Sequence, residues 1–324
     1  MKTRFFPLLW ILLAAIILTA AYTYIDNQRV ILVEQQVEIE NLPPEFEGFI
    51  ILQVSDLHGK RFGANQQRLL ELINNTPYDL LAISGDMDSG YQPNSQPFFE
   101  LLDGLENKEN IFYTSGNSGP FAFDELTGAL TEPGQVLQSK GVKPLNQLYT
   151  LQRGESRLFV GEFWLLDMIK VYNLGFSQQQ LDQPGLPAAD REYYQAALQH
   201  GQELLAQLQP IQPGDTLIGI THVPFSIDSV SEMPAIVPSY DLVLAGHYHG
   251  GQIRLPLIGA VYIPDGASER GGFFPARDEV SGLKDWGDFQ QYVSRGLGAS
   301  SGIPLLNFRL FNTPEINLIT LTAK

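Results

Sequence analysis

Two histidines separated by one residue, His247 and His249, are the first candidates for chemistry in this chain. They directly follow the apolar run 241–245, and Gly246 and Gly250 flank the pair. In an extended backbone, alternate side chains project to the same side, and glycine lets the chain approach a bound group closely. The pair is consistent with a metal site, a structural pair or a surface pair, so other residues must decide.

Five further residues with metal-binding side chains also follow apolar runs of strand length. They are Asp56, His58, Asp86, Asn117 and His222. Because the carboxyl ends of parallel strands meet at one edge of an α/β sheet, we expect these side chains to converge. The chain has no cysteine, and imidazole with carboxylate suits ions of the Mn, Fe or Zn class. The fifth histidine, His200, lies in a predicted helix, where we expect a solvated or helix-end residue.

Strand-like and helix-like segments alternate along most of the chain. Apolar periodicity predicts helices over 66–75, 98–105 and 189–208, between the apolar runs that precede the candidate ligands. This order is typical of an α/β fold with a largely buried sheet. From residue 259 onward, short alternating pieces such as 316–319 predict antiparallel strands of a second sheet. The segment 176–189 is predicted to be a loop.

The N-terminus carries a long uncharged segment. Lys2 and Arg4 precede residues 5–25, and a helix of this length crosses a hydrocarbon core of about 30 Å. A retained anchor and a cleaved signal peptide both fit this pattern, and both export the rest of the chain. Because the basic residues precede the span, the positive-inside rule places the N-terminus in the cytoplasm. We expect a single-pass protein of the cell membrane with an extracytoplasmic main domain.

The chain is strongly acidic, with 36 Asp and Glu against 20 Lys and Arg and a formal net charge of −16. This balance argues against nucleic acid as a partner, because phosphate backbones bind basic surfaces. A phosphorylated substrate needs a local positive centre, and metal ions are the obvious candidates.

Five short blocks occur in the order found in one enzyme family. They are Ser-Asp-Leu-His at 55–58, Gly-Asp at 85–86, Gly-Asn at 116–117, Thr-His at 221–222 and Gly-His-Tyr-His at 246–249. In these blocks the chain resembles the calcineurin-like metallophosphoesterases, from about residue 45 to 322. It is most similar to the membrane-associated bacterial phosphodiesterase-like branch, because Gly-Gly-Gln at 250–252 and the tail segments 292–298 and 314–316 match that branch.

The resemblance implies a four-layer α/β/β/α sandwich over residues 45–324. It would follow a transmembrane anchor or signal at 1–25 and a linker with a lead-in strand at 26–44. The resemblance also implies two divalent metal ions of the Mn, Fe or Zn class. Carried over residue by residue, the implied ligands are Asp56, His58 and His249 for one ion, Asn117, His222 and His247 for the other, and Asp86 as the bridge between them.

The implied reaction is hydrolysis of a phosphodiester or pyrophosphate bond by a hydroxide bound to both metal ions. Its substrate would be a phosphorylated small molecule or a lipid-linked or envelope compound. Four phenylalanines in segments that follow ligand-bearing strands could contact a lipid tail, or could pack in the core or a lid: Phe98, Phe99, Phe121 and Phe123.

Ser118 departs from the family pattern, in which a histidine that serves the leaving group follows the asparagine. Loss of a general acid commonly costs about 10²–10⁴-fold in rate, and a good leaving group is affected least. Two functions therefore stay open. One is a metal-dependent hydrolase that needs little proton donation, and the other is a weakly active or inactive relative that retains metal and binds phosphorylated ligands.

Overall fold

The N-terminal helix α1 (Phe5–Asp26) extends away from the cores of the protein, and its apolar side chains are exposed. Among the described residues, it alone is long and apolar enough to cross a membrane, over Pro7–Asp26. The predicted uncharged span is thus confirmed as a helix. The computed structural model describes residues 5–90, 93–124, 126–163, 174–208, 211–212, 214–225, 240–264, 271–275, 280–287, 289–300 and 306–324.

The rest of the described chain contains five α-helices and fifteen strands. The helices are α2 (Gln67–Asn74), α3 (Gln96–Gly104), α4 (Glu132–Ser139), α5 (Ser177–Leu181) and α6 (Ala188–Leu208). The strands are β1 (Ile31–Ile39), β2 (Ile50–Val54), β3 (Leu80–Ser84), β4 (Ile111–Thr114), β5 (Val142–Pro144), β6 (Tyr149–Arg153), β7 (Ser156–Glu162), β8 (Thr216–Ile220), β9 (Leu242–Ala245), β10 (Ile253–Leu255), β11 (Gly259–Ile263), β12 (Gly272–Phe273), β13 (Gly282–Asp285), β14 (Gln290–Val293) and β15 (Glu315–Ala323).

Most strands belong to two six-stranded sheets. The first has the order β1-β15-β2-β3-β4-β5, and the second has the order β13-β14-β9-β8-β7-β6. The strands β2 to β5 are parallel to one another, as are β7, β8, β9 and β14. A small antiparallel sheet contains β10, β11 and β12. Both large sheets therefore contain a run of parallel strands. The loops at the carboxyl ends of such strands are where ligand-binding residues are expected.

The two large sheets pack face to face, and helices cover their outer faces. Leu80 and Ala82 of β3 point into the core between the sheets, whereas Leu81 and Ile83 point towards α2, α3 and α4. On the second sheet, Val243 packs towards α6. Because both faces of the central strands are buried, these strands appear in the sequence as continuous apolar runs. The predicted four-layer α/β/β/α sandwich is confirmed.

Two predicted elements differ from the structure. The tail strand β15 does not join the second sheet but lies in the first, parallel to β1 and antiparallel to β2. Alternation of side chains identifies a strand but carries no information on its partner, so the sequence could not distinguish the two sheets. The loop predicted over 176–189 contains α5, where glutamine favours helix and Gln178 donates a hydrogen bond to Asp182.

Candidate metal centre

All seven predicted metal ligands follow strands whose carboxyl ends meet between the two sheets. Asp56 and His58 follow β2, Asp86 follows β3, Asn117 follows β4, His222 follows β8, and His247 and His249 follow β9. Gln53 of β2 links the two sheets next to these strand ends. Its buried amide nitrogen donates hydrogen bonds to Ser84 Oγ of the first sheet at 2.8 Å and to the Ala245 carbonyl of the second at 2.9 Å.

One group of three residues that could hold a metal ion is Asp56, His58 and His249, whose potential ligand atoms lie within 4.8 Å of one another. The Nε2 atoms of the two histidines are 3.2 Å apart. His249 Nε2 is 3.6 Å from Asp56 Oδ1, and His58 Nε2 is 4.0 Å from the same oxygen. These three residues are the set that the resemblance implies for the first ion.

The second such group is Asp56, Asp86 and His222. Asp86 Oδ2 lies 3.3 Å from His222 Nε2 and 3.5 Å from His58 Nε2. The other oxygen of Asp86 accepts a hydrogen bond from the Ser118 backbone N–H at 2.8 Å, which leaves Oδ2 directed at the histidines. The Asp86 carboxylate is therefore placed between the two groups.

His247 and Asn117 lie beside the second group. His247 Nδ1 is 3.1 Å from His222 Nε2, and Asn117 Nδ2 is 3.5 Å from His247 Nδ1. Asn117 is exposed and turns its amide nitrogen, not its oxygen, towards His247. The structure thus brings all seven candidates to one place, with Asp56 shared between groups rather than confined to one.

Hydrogen bonds to backbone carbonyls orient two of the imidazole rings. His222 Nδ1 lies 3.0 Å from the Ser84 carbonyl, and His249 Nδ1 lies 3.3 Å from the Gly298 carbonyl. A carbonyl can only accept, so each Nδ1 carries a proton and donates it. Each Nε2 is then the atom available to a metal ion, as in many metal-binding histidines.

Five of the candidate ligands have a left-handed backbone. The φ angles are 54° at Asp56, 48° at His58, 54° at Asp86, 73° at His247 and 52° at His249. L-residues rarely adopt this region, and each such residue costs on the order of 1–3 kcal/mol. Backbone hydrogen bonds support the strained loops, for example from the Asp56 N–H to the Gly85 carbonyl and from the His58 N–H to the Asp86 carbonyl, each at 3.0 Å. Strain concentrated at ligand positions is typical of a functional site.

The charge states of the buried groups favour a cation. Burial lowers the pKa of the His249 ring to about 3 and also lowers the pKa of His58. Burial opposes protonation of His222, yet the neighbouring Asp86 carboxylate raises the pKa of this ring to about 9. Burial likewise opposes ionisation of Asp86, but His222 and His58 lower the pKa of its carboxyl. At neutral pH the centre therefore presents the ionised Asp86 carboxylate and the neutral rings of His58 and His249, while His222 carries a second proton that it would give up on binding an ion.

Several supporting residues were not predicted from the sequence. Ser55 Oγ donates a hydrogen bond to Asp56 Oδ2 at 2.5 Å. The fully buried guanidinium of Arg309 donates to the Gly298 carbonyl at 2.8 Å, and Asn312 Nδ2 donates to the His249 carbonyl at 2.7 Å. Ser55 adjoins a ligand block, whereas no sequence signal distinguishes Arg309 from a surface arginine.

A cavity of about 310 Å³ opens beside Asn117 and His222. Phe121 and Phe123 line it, and so does His200, which lies in the predicted helix α6 and is half-buried. Phe98, a residue of α3, is fully buried in the core between this helix and the first sheet, and Phe99 packs against the same core. Only two of the four phenylalanines thus face space next to the centre.

The comparisons with known proteins agree with this arrangement. The family model for calcineurin-like phosphoesterases matches residues 49–251, which include all seven candidate ligands. The metallophosphoesterase YkuE of Bacillus subtilis is 22% identical over 308 residues, covering 93% of this chain and 88% of YkuE.

Two further relatives match over shorter stretches. The phosphodiesterase YaeI of Escherichia coli is 33% identical over 104 residues, which is 32% of this chain and 31% of YaeI. A transmembrane protein with a metallophosphoesterase domain from Danio rerio is 22% identical over 223 residues, covering 68% of this chain and 45% of the fish protein.

Proposed function

Because this chain belongs to the calcineurin-like phosphoesterase family, we propose that it hydrolyses phosphodiester or pyrophosphate bonds with the help of two divalent metal ions. The observation that carries the proposal is the place of Asp86. Its Oδ2 atom lies 3.5 Å from His58 Nε2 of the first group and 3.3 Å from His222 Nε2 of the second. A single carboxylate in this place would be a ligand to both ions.

The donor set fits such ions. Four imidazoles and two carboxylates converge without any thiolate, a combination that suits the Mn, Fe or Zn class. The ring nitrogens of His222 and His247 lie 3.1 Å apart and those of His58 and His249 lie 3.2 Å apart, so the two rings of each pair are close enough to bind one ion in common. When bound, two such ions offset the charge of the phosphoryl oxygens and lower the pKa of a water molecule that attacks phosphorus.

The residues of the chain orient and shield this centre. The Ser118 N–H holds Asp86, the Ser55 hydroxyl and the His247 N–H hold Asp56, and the carbonyls of Ser84 and Gly298 hold the rings of His222 and His249. The cavity beside Asn117 provides room for an organic part of the substrate. Position 118 offers no imidazole, so the preferred substrate is one whose leaving group needs little protonation.

We also propose that α1 is a single membrane anchor and that residues 45–324 form the catalytic domain outside the cytoplasm. The uncharged helix and the basic residues before it support this orientation. A carboxyl-terminal reporter enzyme that is active only outside the cytoplasm tests it. We expect an active fusion, and an inactive fusion of normal abundance would contradict the orientation.

The enzymatic proposal is tested with the full chain in detergent, stripped by a chelator and reloaded separately with Mn²⁺, Zn²⁺ or Fe²⁺. The substrates are bis(para-nitrophenyl) phosphate, nucleoside diphosphate esters and, as a monoester, para-nitrophenyl phosphate. We expect metal-dependent hydrolysis of the diester or the pyrophosphate. Asp86→Asn should lower kcat by about 10²-fold or more, because loss of a bridging carboxylate weakens both sites.

Asp103→Asn is the matched control. Asp103 is an exposed residue of α3 whose carboxylate forms an ion pair with Lys140 at 2.5 Å. Its replacement by Asn removes the same charge as Asp86→Asn, but away from the centre. It should retain the rate of the unmodified chain. Equal rates in Asp86→Asn and Asp103→Asn, or activity on the monoester alone, would contradict the proposal.

A second candidate function is binding of phosphorylated ligands with little turnover. The observation that favours it is Ser118, whose hydroxyl faces Gly90 and cannot replace an imidazole. Metal-loaded protein that binds a phosphodiester at equilibrium but leaves it intact, even when the ester is activated, would support this second function over the first.

A further inference from the structure

Exposed apolar side chains outside α1 are concentrated in one region of the protein. Among the described residues after α1, ten large apolar side chains are exposed, and six of them lie in or beside the small sheet β10-β11-β12. These six define a surface that we call the hairpin face: Leu255, Leu257, Ile258, Phe273, Phe274 and Phe311. Soluble surfaces rarely collect such residues without a partner.

Hydrogen bonds join the parts of the hairpin face into one surface. Leu257, at the turn between β10 and β11, is fully exposed, and it lines one hollow together with Leu255, Ile258 and Phe311. The Arg254 N–H donates to the Leu310 carbonyl at 2.9 Å, next to Phe311. On the other side of the small sheet, the Phe274 N–H donates to the Val261 carbonyl at 2.9 Å.

The hairpin face is continuous with α1. The rings of Phe311 and Tyr22 lie 5.3 Å apart, and Phe308 and Leu310 line a crevice against α1 that reaches Ile16. Polar contacts hold the helix end to the same segment. Asn27 Nδ2 donates to the Arg309 carbonyl at 2.7 Å, and Thr313 Oγ1 donates to Asp26 Oδ1 at 2.8 Å.

Aromatic residues and charge indicate what covers this face. Tyr22 and Tyr24 stand near the end of the apolar span, where tyrosine marks the interface between lipid and water. Phe311 contacts Tyr22 and is therefore at the same level. The sequence segments 242–264 and 289–314, which carry most of the face, contain no Asp or Glu, although the whole chain has 36 acidic residues. The absence of acidic side chains from these segments avoids repulsion by the phosphate groups of lipid headgroups.

We propose that the hairpin face is a second membrane contact, inserted into the interface of the bilayer that α1 crosses. This rests on the proposed membrane anchor, not on the proposed hydrolysis. The first residue of the face, Leu255, is six residues after His249, a chain length of at most about 22 Å, and Asn312 donates a hydrogen bond to the His249 carbonyl. The contact would therefore hold the metal centre against the lipid headgroups, where a lipid-linked phosphodiester is within reach.

The chain contains no cysteine, so single cysteines can be introduced and labelled with an environment-sensitive fluorophore. The full chain is reconstituted in vesicles of phosphatidylethanolamine and phosphatidylglycerol with a nitroxide on the lipid. The labelled positions are Leu257→Cys on the hairpin face, Ile16→Cys in α1 and Tyr193→Cys on α6. Tyr193 is the matched control, because it is an exposed large apolar residue away from this face.

We expect the lipid nitroxide to quench the labels at 257 and 16 and to leave the label at 193 bright. Because Leu257 is fully exposed, its replacement should not disturb folding, and an unchanged Tm would establish this. If the label at 16 is quenched but the label at 257 is quenched no more than the label at 193, the membrane contact is overturned and the anchor stands. No quenching at 16 would overturn the anchor and this contact together, while metal-dependent hydrolysis would be unaffected.

Discussion

The Nε2 atoms of His58 and His249 lie 3.2 Å apart, although the two residues are separated by 191 positions and follow strands of different sheets. Burial lowers the pKa of both rings, so both are neutral at physiological pH. Two neutral imidazoles that face each other with Asp56 beside them could hold a cation.

Metal ions should therefore stabilise the folded protein. A ligand at about 100 times its Kd adds about 2.7 kcal/mol to the free energy of unfolding, which corresponds to roughly 5–10 °C in Tm for a domain of this size. We expect this rise when Mn²⁺ or Zn²⁺ is added to chelator-treated protein in a thermal unfolding experiment. The rise should be much smaller in His249→Ala and unchanged in His200→Ala, which removes the one histidine outside the ligand set. An equal rise in both variants would contradict the assignment of His249.

Ser118→His should restore proton donation to the leaving group. The Ser118 N–H already holds Asp86 at 2.8 Å, so a side chain at this position starts next to the centre. We expect kcat to rise by about 10–10²-fold with an unactivated phosphodiester and to change little with an activated one. Steady-state kinetics on metal-loaded protein measures both. Ser118→Asn, which adds bulk without a titrating ring, is the control, and no gain in Ser118→His with either ester would favour the binding function.

Gly246→Ala should damage the centre without unfolding the protein. A Cβ atom at Gly246 would overlap Ser55 Oγ and Asp56 Oδ2, because the loops after β2 and β9 touch at this residue. We expect metal affinity to fall by about 10–100-fold, as for other changes that displace a ligand. Metal titration followed by calorimetry measures it. Gly175→Ala is the control, since a Cβ there would meet no atom within 4 Å; equal affinity in both variants would exclude the predicted overlap.

Asp241 should make the stability of the fold depend on pH. Burial raises the pKa of its carboxyl to about 6. The nearby Glu40 also raises this pKa, whereas the hydrogen bond from the Leu217 N–H lowers it. Since the folded pKa exceeds the unfolded value of about 3.8, the folded state binds the proton more tightly. The protonated Asp241 carboxyl therefore contributes its full stabilisation of the folded state below about pH 4, and this contribution is lost as the pH rises through about 6.

Asp241→Asn removes this dependence. We expect the variant to be more stable than the unmodified chain above pH 7, by about 1–2 kcal/mol after allowance for solvent screening. Denaturant unfolding at several pH values, in chelator so that metal binding does not contribute, provides the measurement. Parallel pH profiles for the two proteins would show that the carboxyl does not titrate as stated.

The sequence alone determined the parts of this protein that depend on local pattern. Apolar runs identified the central strands, because a strand buried on both faces has no polar alternation. The uncharged segment 5–25 identified α1, and the short blocks around Asp56, Asp86 and His249 identified the family and the candidate ligands. Each of these signals lies within one continuous segment of the chain, where backbone geometry directly relates side-chain type to position.

Only the tertiary structure decided how these parts combine. It placed β15 in the first sheet, brought Asp86 Oδ2 to 3.3 Å from His222, and set five candidate ligands in left-handed backbone. It also buried Arg309 behind the centre and joined the hairpin face to α1. These relationships link residues far apart in the chain, and no local periodicity encodes them, because each depends on how two packed sheets present their loops to each other.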